Sequence, residues 1–337
     1  MKRVTIKDIA RVANVSYATV SRALSDNPEI SEATRSRIKK LCHEMGYTPN
    51  VMARSLVTRS TNTLGIIVPD VSNPFFSEIV LYMERFAGLH GYSSIICNSW
   101  RDLETEKKDL ELLFSKQIDG LIFSPFSADS SEFVNDYAKK VPTVIVSDNF
   151  TGENLSRVRI DNFMGAYNGT RHLISLGHKN ITLLGVRDSS LTHKNRKHGF
   201  LAASSEYNIE TDIVFSTFNS SSIEAGYELS KKYFKSHAEL PSAVFAINDL
   251  GALGVLQAAD ELGISVPEEL SVLGFDNIVF SALPKIMLTT IANPISELCR
   301  AAIDLLLNMI NGSQTEPTDI CIMPKLVIRN SCAAVKE

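Results

Sequence analysis

Apolar residues change their spacing once along this 337-residue chain, at Leu64, and that change limits what it can fold into. Before it, helical spacing dominates. Ile6, Ile9, Ala10 and Ala13 fall on one face of a short helix, a turn follows at Asn14-Val15-Ser16, and Tyr17-Ala18-Thr19-Val20-Ser21-Arg22 opens a second helix. After it, Leu64-Gly65-Ile66-Ile67-Val68-Pro69 is a continuous apolar run, suited to a strand buried on both faces of a parallel sheet. The chain is too long for one ordinary domain. A small all-α head joined to a larger α/β body is the expected fold class.

Helix, tight turn and helix in the head have the form of a helix-turn-helix DNA reader. Ser16 is placed to cap the second helix by accepting from a free backbone N–H. Tyr17, Ala18, Ser21 and Arg22 then project from the early turns of a helix slim enough for the major groove. A third helix is expected from Glu32 to Met45, capped by Ser31 and stopped by Gly46. Pro49 forces an extended exit at Tyr47-Thr48, Asn50 opens a short helix to Val57, and Arg59 to Thr63 form a polar joint. Charge agrees with this division. Residues 1–60 hold eleven Lys and Arg against five Asp and Glu, and the rest of the chain holds 23 against 33, for a net charge of −4. A basic head on an acidic body puts the polyanion contact in the head.

In the body, strands are expected near Ser94–Cys97, Gly120–Ser124 and Thr143–Val146, and the pattern restarts after Ile160-Asp161. Strands near Ile181–Leu184, Ile213–Phe215, Ala243–Ile247 and Ser271–Phe275 then alternate with helices, and an amphipathic helix covers Ile295–Ile310. Two such series imply two doubly wound parallel-sheet lobes with a cleft between them. The expected division is a head over 1–48, a hinge and linker over 49–62, and a two-lobed domain over 63–337. Lobe 1 takes about 63–161 and 293–324, and lobe 2 takes about 162–292 and 325–337. Five scattered cysteines lack C-x-x-C spacing, which argues against a disulfide framework and a zinc site and fits a reducing compartment. No run approaches a membrane span, and Met1-Lys2-Arg3 leads into a polar helix. A cytoplasmic location with no membrane partner is expected. Phosphate-loop, dinucleotide, nucleophile-elbow and H-E-x-x-H motifs are all missing, so no cofactor, metal or catalytic residue is assigned.

Val4-Thr5-Ile6-Lys7-Asp8-Ile9-Ala10 through Ser16-Tyr17-Ala18-Thr19-Val20-Ser21-Arg22-Ala23-Leu24 resembles the head of the LacI/GalR (lac repressor) family of bacterial transcription regulators. The likeness continues through Gly46-Tyr47-Thr48-Pro49-Asn50 and Ala53-Arg54-Ser55-Leu56. In the body it is carried by Asn73-Pro74-Phe75-Phe76, Gln117-Ile118-Asp119-Gly120, Arg196-Lys197-His198-Gly199-Phe200, Ala246-Ile247-Asn248-Asp249 and Ser271-Val272-Leu273-Gly274-Phe275-Asp276. The resemblance implies lobes of the periplasmic-binding-protein type. It also implies a homodimer on a near-palindromic double-stranded operator, and a small-molecule effector, a sugar or related metabolite, in the cleft. A carbohydrate-binding protein without a role in DNA regulation is the alternative, and the basic head counts against it.

By the same resemblance Tyr17, Ala18 and Arg22 take base-reading positions, with Arg22 able to donate two bonds to guanine. Thr5, Ser16, Ser21, Ser31, Thr34, Tyr47 and Asn50 are candidates for phosphate contacts, and capping or packing is the other role open to Ser16, Ser31 and Tyr47. Asn50–Val57 would be a hinge helix that pairs with its twin in the minor groove. Ala53 permits close approach there, and Leu56 wedges the central base step. For the effector, site residues belong at the carboxyl ends of strands. Asp70, Asn73, Phe75 and Phe76 follow the first strand, each Phe standing equally for a ligand-facing ring or a packing residue. Asp161 and Asp276 can accept from ligand hydroxyls, or cap a helix and shape a turn. Arg196 can clamp a hydroxyl pair or carboxylate, or remain a solvated helix-end charge. Asn248 and Asp249 share ligand and capping roles, and Thr192 and Phe218 complete the set. Gly251 stands where the resemblance calls for a larger residue, which would loosen the helix start or make room for a ligand. Trp100 is expected as a packing anchor.

Overall fold

The computed structural model describes residues 4–47, 60–150, 152, 154–218 and 221–335. The chain forms two compact units, Met1–Thr61 and Asn62–Glu337. In the first, α1 (Ile6–Ala13), α2 (Tyr17–Leu24) and α3 (Glu32–Glu44) enclose a small core of Ile9, Ala10, Ala13, Val20, Ala23, Ile38 and Cys42. Asn14 reverses the chain between α1 and α2 in the left-handed region, at φ 51°, a conformation Asn tolerates better than most residues. Gly46, at φ 63°, follows α3 in the same region. The hinge residues Asn50, Ala53 and Leu56 lie outside the described residues.

In the second unit the first sheet runs β11-β5-β4-β3-β1-β2, all parallel. Its strands are β1 (Thr63–Val68), β2 (Ser93–Asn98), β3 (Gly120–Phe123), β4 (Thr143–Ile145), β5 (Ser156–Ile160) and β11 (Asp319–Ile322). Helices α4 (Pro74–Leu89) and α11 (Ile295–Ile310) pack on one face, with Ile79, Met83, Cys299 and Leu306 against Ile66, Val144 and Val158. Helices α5 (Leu103–Ser115) and α6 (Ser131–Ala138) pack on the other, around Leu110, Leu113, Phe123 and Val134.

The second sheet runs β12-β10-β9-β8-β6-β7, from β6 (Asn180–Val186), β7 (Glu210–Phe215), β8 (Ala243–Ala246), β9 (Ser271–Asp276), β10 (Thr289–Ala292) and β12 (Lys325–Val327). It departs from the all-parallel expectation at its edge, where β12 pairs antiparallel with β10. Helices α7 (Asn162–Ser175) and α8 (Leu191–Glu206) cover one face, and α9 (Ile223–Ser236) and α10 (Asp249–Leu262) cover the other. Glycines let each helix pair approach closely: a Cβ on Gly199 would overlap the Phe163 carbonyl oxygen, and one on Gly254 would overlap that of Ile223. Gly251 belongs to the α9–α10 contact, since a Cβ on Gly226 would overlap its carbonyl oxygen. A Cβ on Gly251 itself would meet only Asn248 Oδ1 at 3.1 Å and Ala246 Cβ at 3.9 Å, so the close approach requires glycine at Gly226 and not at Gly251.

The chain passes between the two sheets after β5, after β10 and after β11. Strand β5 escaped the sequence reading because Ser156-Arg157-Val158-Arg159-Ile160 alternates, unlike the continuous apolar runs around it. Its arginines serve the partner strand: Arg157 Nη2 lies 2.6 Å from Asp319 Oδ2, and Arg159 Nε 3.1 Å from Asp319 Oδ1.

Candidate functional site

Two places concentrate chemistry, one in each compact unit. In the head, Ser16 Oγ accepts from Thr19 N at 3.0 Å and starts α2. Val20 and Ala23 turn into the core, which leaves Tyr17, Ser21 and Arg22 exposed and Ala18 half-buried on the outer face. Tyr17 is 64% exposed. Arg22 Nη1 stands 3.3 Å from Glu29 Oε2, and both side chains are solvated, so this pair is weak and easily exchanged for another acceptor. Thr5 donates from N and Oγ1 to Asp8 Oδ2 at 3.0 and 2.7 Å, fixing the start of α1. Ser31 Oγ accepts from Thr34 N at 3.4 Å at the start of α3. Tyr47 packs half-buried on the core, and burial raises its phenol above the ordinary value.

In the body, strand order reverses beside β1 in one sheet and beside β6 in the other, so a crevice opens at the carboxyl ends of both. The resulting cavity holds about 840 Å³, including its solvent-open mouth. Of the residues expected there, Asn73, Phe75, Phe76, Thr192, Arg196, Asn248 and Asp276 line it. Asn73 Oδ1 accepts from Phe75 N at 3.0 Å and caps α4. The rings of Phe75 and Phe76 meet edge to face, with centroids 5.0 Å apart.

Arg196 is buried and fully engaged, not a solvated helix-end charge. It donates from Nε to Asn162 Oδ1 at 2.8 Å, from Nη1 to the Ile247 carbonyl at 2.5 Å and from Nη2 to Asp276 Oδ1 at 3.1 Å. Its guanidinium lies 3.6 Å from the centroid of the Phe275 ring. Asp276 also accepts from Asn293 Nδ2 at 3.1 Å. Burial raises its carboxyl, and Arg196 and Asn293 oppose that rise. Asn248 caps α10 by accepting from Gly251 N at 2.9 Å and donates to the Ser221 carbonyl at 3.1 Å.

Four expected residues fall outside the cavity lining, each for a local reason. Asp70 Oδ1 accepts from Ser72 N and Oγ at 3.0 and 2.5 Å. Asp161 Oδ1 accepts from Met164 N at 2.9 Å and caps α7. Phe218 is exposed. Asp249 is buried and held by Ile278 N, Ser281 Oγ and Thr290 Oγ1 at 2.9, 2.5 and 2.5 Å. Burial, then the charge of Asp276, pushes its carboxyl up to about 7. Trp100 is 72% exposed and anchors nothing.

The cavity also gathers residues that sequence reasoning passed over. Asp148 Oδ2 accepts from Asn162 Nδ2 at 2.8 Å and Asn195 Nδ2 at 3.1 Å. Asn149 Oδ1 accepts from Thr192 N at 3.2 Å and Ser190 Oγ at 3.3 Å. These bonds join the end of β4 in the first sheet's lobe to α7 and α8 in the second's. His193 is buried with Nδ1 accepting from Arg187 N at 3.1 Å, and burial followed by nearby guanidinium charges holds its pKa far below the ordinary value. Arg101 and Arg187 complete the polar wall. The available signal was position, since Ser147-Asp148-Asn149 follows β4 and Arg187 follows β6. Among the described residues no group of His, Cys, Asp and Glu is placed to hold a metal ion, and no helix is long and apolar enough to cross a membrane.

A family profile described as bacterial regulatory proteins, lacI family, matches residues 5–50. A second, described as periplasmic binding proteins and sugar binding domain of LacI family, matches residues 61–330. The chain belongs to the LacI family. The HTH-type transcriptional regulator DegA of Bacillus subtilis is 35% identical over 332 residues, 98% of each chain. The structure of the lac repressor dimer bound to operator and the anti-inducer ONPF superposes with a TM-score of 0.89 at 25% identity, covering 99% of this chain and all of that one. A LacI family transcriptional regulator from Enterococcus faecium with bound ribose gives 0.73 at 31% identity, over 81% of this chain and 100% of that one. This LacI-family chain is therefore a transcriptional regulator with a helix-turn-helix DNA-binding domain and an effector domain of the periplasmic-binding-protein type. Its relatives are regulators and not enzymes.

Proposed function

We propose that this chain is a repressor that binds a near-palindromic operator as a homodimer and releases or tightens that grip when a polyhydroxylated metabolite enters the cleft. The observation that carries the reading is the presence, in one chain, of an exposed α2 face and a cleft walled by amide, hydroxyl and guanidinium groups. The operator-bound dimer of the lac repressor and the ribose-bound relative support it.

Arg22 reads guanine, Tyr17 and Ala18 touch neighbouring bases, and Thr5, Ser16, Ser21, Ser31, Thr34 and Tyr47 fix the register on phosphates. Asn50, Ala53 and Leu56 act in the hinge, with Leu56 wedging the central step. In the cleft, Asn73, Phe75, Phe76, Thr192, Arg196, Asn248 and Asp276 hold the ligand. Asp148 and Asn149 tie the lobes in the arrangement it selects. Differential affinity for two closure states then couples cleft to operator, reciprocally. The protein performs no catalysis and works in the cytoplasm, beside the chromosome.

Selection of bound duplexes from a random pool, repeated with a panel of sugars, nucleosides and organic acids, tests this. A two-fold symmetric site whose occupancy shifts with one class of metabolite supports the reading. Enrichment of no sequence with any addition refutes it.

A further inference from the structure

Behind the first lobe's wall of the cleft stands a fully buried carboxylate, Glu106 of α5. Its Oε2 accepts from Ser130 Oγ at 2.5 Å and its Oε1 from Phe126 N at 3.2 Å. Both donors belong to the connection that leaves β3, and Phe126 lines the cavity.

The bonds continue from there to the second lobe. The Phe126 carbonyl accepts from Asn149 Nδ2 at 3.1 Å, and Asn149 Oδ1 accepts from Ser190 Oγ at 3.3 Å and Thr192 N at 3.2 Å. Thr192 lies in the first turn of α8, where amides have no partner within the helix. Its N–H is served instead from the opposite lobe. Every donor in this relay points the same way: Thr192 donates to Asn149, Asn149 to Phe126, and Phe126 to Glu106. Hydrogen bonds aligned head to tail polarise one another, and an anion at the accepting end strengthens each of them.

We propose that Glu106 is a positioning residue for the cleft, whose charge tightens the bridge between the lobes at Asn149 and whose protonation slackens it. Ionised, both of its oxygens accept with charge-assisted strength. Protonated, one oxygen becomes a donor and the pull on Phe126 N falls. Burial pushes Glu106 up to about 7 from an ordinary 4.5, against the bonds from Ser130 and Phe126 N, so the two forms exchange near neutral pH. Asp109, one turn along α5, adds to the rise. The other ionisable groups around α5 are engaged elsewhere. Cys97 of β2 meets Asp109 and is itself pushed up to about 11, and Arg101 pairs with Asp70 at 3.6 Å. Asp129 accepts from Ser127 Oγ at 3.0 Å, and Glu132 and Asp136 of α6 act on Lys107 and Lys139. The proposal deepens the reading of the cleft as an effector site, and its test needs no effector, so the two can fail separately.

Hydrogen exchange of the intact protein, followed at single amides by mass spectrometry and corrected for the intrinsic effect of pH, tests this. From about pH 8 down to about pH 6, Phe126 N and Thr192 N should both lose protection, by about threefold or more, while the amides of β1 keep theirs. Glu106→Gln should abolish the response at both positions. Asn149→Ala should abolish it at Thr192 and leave it at Phe126, which separates a relay from general loosening. Protection at Thr192 that stays constant over this range, or a response that persists in Glu106→Gln, overturns the proposal. If Glu106→Gln fails to fold, the pH series on the unaltered protein and on Asn149→Ala still decides. A metabolite panel that never shifts duplex occupancy is the separate result that sinks the effector reading.

Discussion

The α2 face of the head and the wall of the cleft present their side chains in opposite ways. Tyr17, Ser21 and Arg22 stand in solvent, with one weak ion pair to Glu29 between them and a new partner. Arg196, Asp276, Asp148 and Asn149 are already engaged within the protein, Arg196 with Asn162, Ile247 and Asp276, Asp148 with Asn162 and Asn195, and Asn149 with Ser190 and Thr192. A surface that must meet many sequences before finding one gains from free donors, whereas a cleft that must report occupancy gains from a network whose geometry changes as a unit. Substitutions in the cleft should therefore cost stability and function together, and those on α2 should cost function alone.

Arg196→Met should break that contrast most forcefully if it is wrong. Removing the guanidinium leaves Asp276 buried without its cation, an expected loss of about 3–5 kcal/mol, read by denaturant titration of the body. A midpoint shift near zero would show that the network carries little energy. Glu106 on α5 is next. Its buried carboxylate accepts from Ser130 Oγ at 2.5 Å and Phe126 N at 3.2 Å behind the cleft wall, and burial pushes it up to about 7 from an ordinary 4.5. A raised acid favours the fold while protonated, so its contribution is whole below about pH 4.5 and disappears as pH rises through about 7. That loss is on the order of 3 kcal/mol. Glu106→Gln should flatten this part of the stability profile, and an unchanged slope between pH 4.5 and 7 would assign the slope elsewhere, Asp249 being a carboxyl of the same sign.

On the other side of the comparison, Arg22→Ala should cost about 1–3 kcal/mol of discrimination between operator and mismatched duplex, with the melting of the body unmoved. Equal losses on every duplex would make Arg22 a phosphate contact. Ser16→Ala should have the smallest effect, about 1 kcal/mol on the head through the lost cap, visible in its helical signal on heating.

How far the sequence disclosed all this follows the same divide. The head was legible because its determinants are local: Asn14 turns the chain, Ser16 and Ser31 cap, and the apolar residues face inward over a few turns. The paired lobes were legible from apolar strands, whereas β5, β10, β11 and β12 were not, and the alternation of β5 reflects ion pairs to a strand 160 residues away. In the cleft, Arg196 and Asp276 were found by their place after strands and in motifs. What they do was not readable, because their partners Asn162, Ile247 and Asn293 come from three separate connections. Asp249 shows the converse: a carboxylate in a conspicuous Asn-Asp pair proved structural because Thr290, 41 residues later, donates to it. Arg101 was invisible for a different reason, since a left-handed Trp-Arg step follows from no residue pattern.

The central claim is that the α2 face and the cleft are two ends of one linkage. Fluorescence anisotropy of the intact protein on a duplex recovered by selection, titrated with the metabolite that binds the cleft, addresses it directly. A change in duplex affinity of tenfold or more that saturates with cleft occupancy, and disappears in a cleft variant that no longer binds the metabolite, is the result predicted here. Duplex affinity that stays constant while calorimetry shows the cleft filled would contradict it.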